Sequence, residues 1–184
     1  NKISNFDLLK NFLEKDPYKL KIKEDTKYPS LFIIINSNES NLNEPLVRFC
    51  NGIILDKESL KIICYTFNKC MEENMINEEL FTSNLYIEPS YEGTLIRVFH
   101  YNNEWFFSTK KMINARRAKW VSSKSFFDLF QETLPNPNID EYLDKTKCYS
   151  FLLIHHENNV VIRYPKNNII HISTFDIINQ CECE

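Results

Sequence analysis
The sequence predicts an α+β domain, built mainly from antiparallel β-hairpins with flanking helices and taking in residues 1–184 as one unit. Three observations carry that expectation. Apolar residues make up 43% and aromatic residues 14% of the chain, enough to build a core and too much for disorder. Short β-branched and aromatic runs recur, and several are joined in pairs by brief polar turns. No repeat and no long linker divides them. No apolar run approaches the ~18 residues of a membrane span, and no secretory signal is visible, which makes a cytoplasmic setting the default expectation.

Asn5 to Lys15 carries Phe6, Leu8, Leu9, Phe12 and Leu13 at helical spacing and stops at Asp16-Pro17, as an amphipathic opening helix would. Leu31 to Ile35 is a short β-rich run, and the polar, Asn-rich stretch from Asn36 to Pro45 reads as a loop. Leu46 to Leu55 and Leu60 to Phe67 are expected to pair across Asp56–Ser59. Met71 to Leu80 is acidic and reads as helix. Thr94 to Tyr101 and Trp105 to Thr109 form a second hairpin around Asn102-Asn103-Glu104. Ala115 to Leu134 is expected to be helical, broken near Ser122-Ser123, where a serine can cap the second part. After the Pro135-Asn136-Pro137 break, Cys148 to Ile154, Asn159 to Tyr164 and Ile169 to Thr174 read as three more strands. Gly52 and Gly93 are the two glycines, and each is expected where the backbone needs positive φ or a close neighbour.

Charge and cysteine content narrow the chemistry. Between Ser108 and Phe127 lie Lys110, Lys111, Arg116, Arg117, Lys119 and Lys124 with no acid, a local +6 in a chain whose net charge is −3. A basic helix near Trp105 and Trp120 suits an RNA backbone; a solvated face balanced by acids from elsewhere fits the same pattern. Six cysteines include no Cys-x-x-Cys pair, so buried or free thiols are expected rather than zinc ligands. His155 and His156 are adjacent and on a strand would face opposite sides, so no metal site is expected.

The chemistry-bearing stretch is Glu88-Pro-Ser-Tyr-Glu-Gly-Thr-Leu-Ile-Arg97. It resembles the nucleotide-binding motif of covalent nucleotidyltransferases, Lys-x-Asp/Glu-Gly, in which the lysine amine attacks the α-phosphate of ATP or GTP. Further segments follow in the order found in bacteriophage-type RNA ligases, members of the ATP-dependent ligase and mRNA capping guanylyltransferase superfamily. Arg48-Phe-Cys-Asn-Gly-Ile-Ile-Leu-Asp56 is similar to an Arg-Gly-Ile-hydrophobic-hydrophobic-Asp strand, and Cys64-Tyr-Thr-Phe-Asn-Lys-Cys70 to an Arg-Pro-Phe-x-Lys-Phe segment. Ser108-Thr-Lys-Lys111 stands where those ligases have a Thr-Arg-Gly-like stretch. Phe151-Leu-Leu-Ile-His-His-Glu-Asn-Asn-Val-Val161 resembles a Phe-Glu-Leu-Val-Gly-Pro-Glu-Asn-Arg-Ile-Val pattern. The resemblance is strongest over 46–175 and implies an adenylation-domain-like fold.

Departures from the pattern matter as much as the matches. Ser90 occupies the nucleophile position, and a hydroxyl without an adjacent base is a poor substitute for an amine. Asn51 replaces an arginine, Tyr65-Thr66 an Arg-Pro pair, and Leu152 a glutamate that contacts ribose or metal. The later Glu-Gly-x-Val and Lys-x-Lys motifs do not occur up to Glu184, so the domain is expected to be truncated or part of a longer chain. The resemblance therefore implies a degenerate, pseudoenzyme-like domain that binds RNA, an RNA end or cap, or a nucleotide. Lys69, Glu92, Gly93 and Arg97 would hold the nucleotide; Lys110, Lys111, Arg116, Arg117, Lys119 and Lys124 would hold RNA. Tyr65, Phe67 or Trp105 would stack on a base, although alternating strand aromatics usually face a core. Two alternatives stand beside it. One is an active ATP-dependent RNA ligase, taking ATP or GTP with Mg²⁺ through a substitute among Lys69, Lys110 and Lys111. The other is a scaffold subunit with a protein partner in a larger assembly.

Overall fold
A computed structural model of the chain describes residues 5–70, 89–159 and 161–183. Helix α1 (Phe6–Leu13) is capped by Asn5, whose side chain accepts from the Leu8 N–H. It lies on a four-stranded antiparallel sheet of order β1 (Lys21–Asp25), β2 (Tyr28–Ile35), β3 (Ile53–Asp56), β4 (Ile62–Cys64), with the short helix α2 (Pro45–Phe49) between β2 and β3. The second sheet has five antiparallel strands in the order β6 (Glu104–Ser108), β5 (Thr94–Tyr101), β7 (Lys147–Ile154), β8 (Asn168–Asp176), β9 (Cys181–Cys183). Helix α3 (Phe126–Thr133) covers its outer face. The architecture is α+β with two antiparallel sheets, as the sequence predicts. No helix among the described residues is long and apolar enough to cross a membrane.

Side-chain alternation sorts the layers. Phe32 meets Phe6 of α1 with ring centroids 4.8 Å apart, so Phe32 and its cross-strand partner Leu55 face α1. Ile33, Ile54 and Cys64 are register partners on the opposite face, where Cys64 touches Cys148 of β7 at 3.3 Å. That face meets the second sheet through Phe99, Phe106, Cys148 and Phe175. Ile96, Val98, Phe107 and Leu153 point the other way, onto Leu129 and Phe130 of α3. Each sheet is thus apolar on both faces, which explains strands as uniformly apolar as Leu31–Ile35.

Several elements differ from expectation. β1 was unforeseen because Lys21-Ile-Lys-Glu-Asp25 holds one apolar residue; an edge strand tolerates such charge. The expected strand at 46–55 begins as helix, since Pro45 at its first turn presets φ and Val47 alone is fully buried. The Ala115–Leu134 helix reduces to a 3-10 turn at Ala115–Arg117 and α3. The α3 cap is Ser125, in a reciprocal capping box with Asp128, rather than Ser122 or Ser123. The described residues of the expected 159–164 strand, 159 and 161–164, are not in a strand, and β9 was not foreseen. The Met71–Leu80 helix expectation lies outside the described residues.

Candidate functional site
The two sheets pack face to face, and their shared interior carries a few buried polar side chains. Arg97 of β5 pairs in register with Ser108 and Ser150, and all three side chains face the four-stranded sheet. Arg97 is completely buried. Its guanidinium donates to the Gly52 carbonyl and to the Thr109 carbonyl, the latter at 2.6 Å, so the side chain ties β3 of one sheet to the turn after β6 of the other. Glu92 is not its partner, and no surface of Arg97 remains for a nucleotide. Gly52 has φ +86°, and a Cβ there would stand 2.7 Å from the Lys110 carbonyl oxygen, so glycine allows the sheets to approach at this crossing.

Lys110 and Lys69 come together at the same crossing. The Lys110 ammonium lies 4.9 Å from the centroid of the Phe67 ring. Burial lowers its pKa, with the Arg97 and Lys69 charges pushing the same way and Cys70 opposing. Lys69 is half-buried, and its backbone N–H donates to the Arg48 carbonyl at 2.9 Å. Phe67 thus faces a cation, while Tyr65 is buried against Phe49 and Phe175, and Trp105 bonds Asp140 at 3.1 Å.

The motif itself is closed. Ser90 is exposed. The Glu92 carboxylate accepts the Val161 N–H at 3.1 Å and the Ile162 N–H at 2.5 Å, while the Glu92 N–H donates to the Tyr164 hydroxyl at 2.8 Å. This capture explains why residues 161–162 are not in a strand: their amides serve a side chain instead of a ladder. Gly93 is hemmed by β7, where an added Cβ would meet the Leu153 carbonyl at 2.6 Å and the Leu152 side chain at 2.9 Å. The space left among Glu92, Gly93, His155 and Tyr164 is about 10 Å³, room for a single water at most. Tyr164 and the 161–162 amides escaped the sequence reading because nothing local marks a distant carboxylate partner.

The basic segment is dispersed rather than helical. Lys124 contacts Glu157 at 2.7 Å and Glu132 at 2.9 Å; Arg117 reaches Asp25 at 3.6 Å. The Arg116 guanidinium stacks 3.4 Å from the Phe127 ring centroid. Lys111 and Lys119 are exposed and form no ion pair among the described residues. The balancing acids weighed against RNA binding are therefore present for part of the segment.

β7 ends at Ile154, so His155 and His156 are not opposed across a strand; their rings stack at 4.6 Å, and their nitrogens and a Glu157 oxygen come within 4.8 Å of one another. The Glu157 N–H donates to His155 Nδ1 at 3.1 Å, which puts the neutral ring's proton on Nε2, 3.6 Å from Glu132. Metal ligation through His155 Nε2 would need the other tautomer and the loss of the bond from the Glu157 N–H, while Lys124 already contacts Glu157.

No family model matches the chain. It is 29% identical over 150 residues to an immediate-early protein ICP-46 homolog of Invertebrate iridescent virus 3, covering 72% of this chain and 33% of that protein. To ICP-46 of Frog virus 3 it is 28% identical over 109 residues, covering 49% of this chain and 28% of the relative. To a candidate bifunctional polynucleotide kinase/RNA ligase of Autographa californica nuclear polyhedrosis virus it is 27% identical over 170 residues, covering 82% of this chain and 24% of that protein. The chain thus spans a third or less of the length of these curated relatives. Together with the motif order, the last of these similarities supports an RNA ligase-like relationship for this chain.

Proposed function
We propose that this chain is an RNA ligase-like domain that holds RNA, an RNA end or a nucleotide without transferring it covalently. The observation that carries the reading is the state of the Glu92–Gly93 motif. A serine hydroxyl stands at the nucleophile position, and the Glu92 carboxylate is occupied by the Val161 and Ile162 amides. Leu152, at the place of a metal- or ribose-contacting acid, packs against Gly93. Lys69 and Lys110, by contrast, lie near one another, with the Lys110 ammonium over Phe67, and suit a phosphate group.

The test is incubation with α-³²P-labelled ATP and GTP plus Mg²⁺ or Mn²⁺, a denaturing gel, and a Ser90→Lys variant alongside. The expected result is no labelled wild-type band, with RNA retained in a salt-dependent filter-binding assay. Absence of both label and RNA retention would overturn the reading in favour of a scaffold. One observation favours transfer through a substitute lysine: the half-buried Lys110 amine has a lowered pKa. A wild-type label that vanishes in Lys110→Arg would replace the binding reading with that one.

A further inference from the structure
A second basic feature sits between the edge strand β1 and the turn after β6, away from the closed motif. Lys21 and Lys23 of the edge strand β1 line a cavity of about 320 Å³ together with Lys111 of the other sheet's turn and the Asn36–Glu39 loop. The register explains the convergence. Lys23 pairs with Ile33, which pairs with Ile54, which pairs with Cys64, so Lys23 belongs to the face that meets the five-stranded sheet. Lys21, two residues earlier and paired with Ile35, shares that face. On the five-stranded sheet, Lys111 follows β6 close to the Lys110–Gly52 crossing.

The charge balance of this cavity is one-sided. Among the described residues, Lys21, Lys23 and Lys111 form no ion pair, and all three are exposed. The lining holds one acid, Glu39, whose carboxylate lies 3.8 Å from Lys19. Three ammonium groups drawn from two sheets around one hollow repel one another in the free protein, and a multiply charged anion relieves that repulsion.

We infer that this cavity binds backbone phosphates of single-stranded RNA through Lys21, Lys23 and Lys111. The inference rests on the RNA-binding reading above and adds a location and two residues, Lys21 and Lys23. Ammonium groups on flexible stems act as point charges and suit phosphodiesters without base selection.

The experiment measures affinity of fluorescein-labelled oligouridylate by anisotropy across a salt series. It compares wild type, a Lys21→Gln/Lys23→Gln/Lys111→Gln variant, and a charge-matched control, Lys27→Gln/Lys61→Gln/Lys166→Gln. All six are exposed lysines, and equal melting temperatures verify that the variants fold. Each phosphate neutralised contributes ~0.7 to the slope of log affinity against log salt for single strands, so the cavity variant is expected to lose about 2 from its slope and the control little. Equal slopes in cavity variant and control, with wild type still binding, would overturn the site and leave the RNA-binding reading standing. If wild type ignores RNA but is stabilised by inorganic tripolyphosphate in a lysine-dependent way, the RNA assignment falls and a free oligophosphate takes its place. No response to either ligand overturns both.

Discussion

Substituting Gly52 with alanine tests the crossing that joins the two sheets. Gly52 sits at φ +86°, its N–H donates to the Ile34 carbonyl at 2.9 Å, and its carbonyl accepts from Arg97. An alanine there adopts the left-handed region at a cost of about 1–2 kcal/mol. Its Cβ would also lie 2.7 Å from the Lys110 carbonyl oxygen and 3.0 Å from the Lys110 Cα, both backbone atoms that no rotamer change can move. Shifting that backbone loosens the Arg97 bond, a charge-assisted contact worth about 1.5–3 kcal/mol. The combined loss is about 3–4 kcal/mol. With a urea slope of about 2 kcal/mol/M, the unfolding midpoint falls by about 1.5–2 M, and the melting temperature by about 6–16 °C. Urea titration followed by tryptophan fluorescence is the assay. Gly52→Asn separates the two causes, since asparagine tolerates positive φ but carries the same Cβ; it is expected to recover less than half the loss. A midpoint within 0.5 M of wild type for Gly52→Ala would refute the argument, showing that the Lys110 backbone yields freely.

Four further outcomes are expected. Burial first, then the neighbouring His156, holds the His155 pKa down; a base depressed in the folded state gives full stability above its unfolded value of about 6.5 and loses it as pH falls below. Replacing His155 with Asn should therefore flatten the melting temperature between pH 7.5 and 5.5, and an unchanged profile rejects this. Cys64 and Cys148 lie 3.3 Å apart on different sheets and are fully buried, so refolding under oxidising conditions should join them, as peptide mapping can verify; closing their 84-residue separation stabilises by about 4–5 kcal/mol in the chain-entropy view. Cys148→Ser should abolish that gain, and stabilisation persisting in the variant would show another pair responsible. Ser125→Ala removes the α3 cap and should cost about 1 kcal/mol in urea unfolding, whereas Ser123→Ala should be neutral; equal effects would place the cap elsewhere. Asn103 turns the β5–β6 hairpin at φ +62°, so Asn103→Gly should stabilise by a few tenths of a kcal/mol, and a loss would reveal an unrecognised role for its side chain.

The β5–β6 hairpin was legible because its residues speak locally. Thr94–Tyr101 matches β5 residue for residue, and Asn102-Asn103 supplies the positive φ values the turn needs. The opening helix was legible from its apolar spacing and the Asp16-Pro17 stop. What failed did so for identifiable reasons. Charge hid β1, whose pairing depends on β2 rather than on its own composition. The +6 segment reads as a helix by composition, yet Arg116 finds Phe127, Arg117 finds Asp25, and Lys124 finds two carboxylates distant in sequence.

The amino-acid order alone determined the α+β class, the serine at position 90 and the likeness to RNA ligases, because these depend on local pattern and residue identity. The tertiary structure decided which of those residues remain available. It buried Arg97 between the sheets, closed Glu92 against the 161–162 backbone, and brought Lys21, Lys23 and Lys111 to one cavity. Such outcomes depend on register and layer packing between segments far apart in sequence, where a shift of one residue turns every side chain to the opposite face.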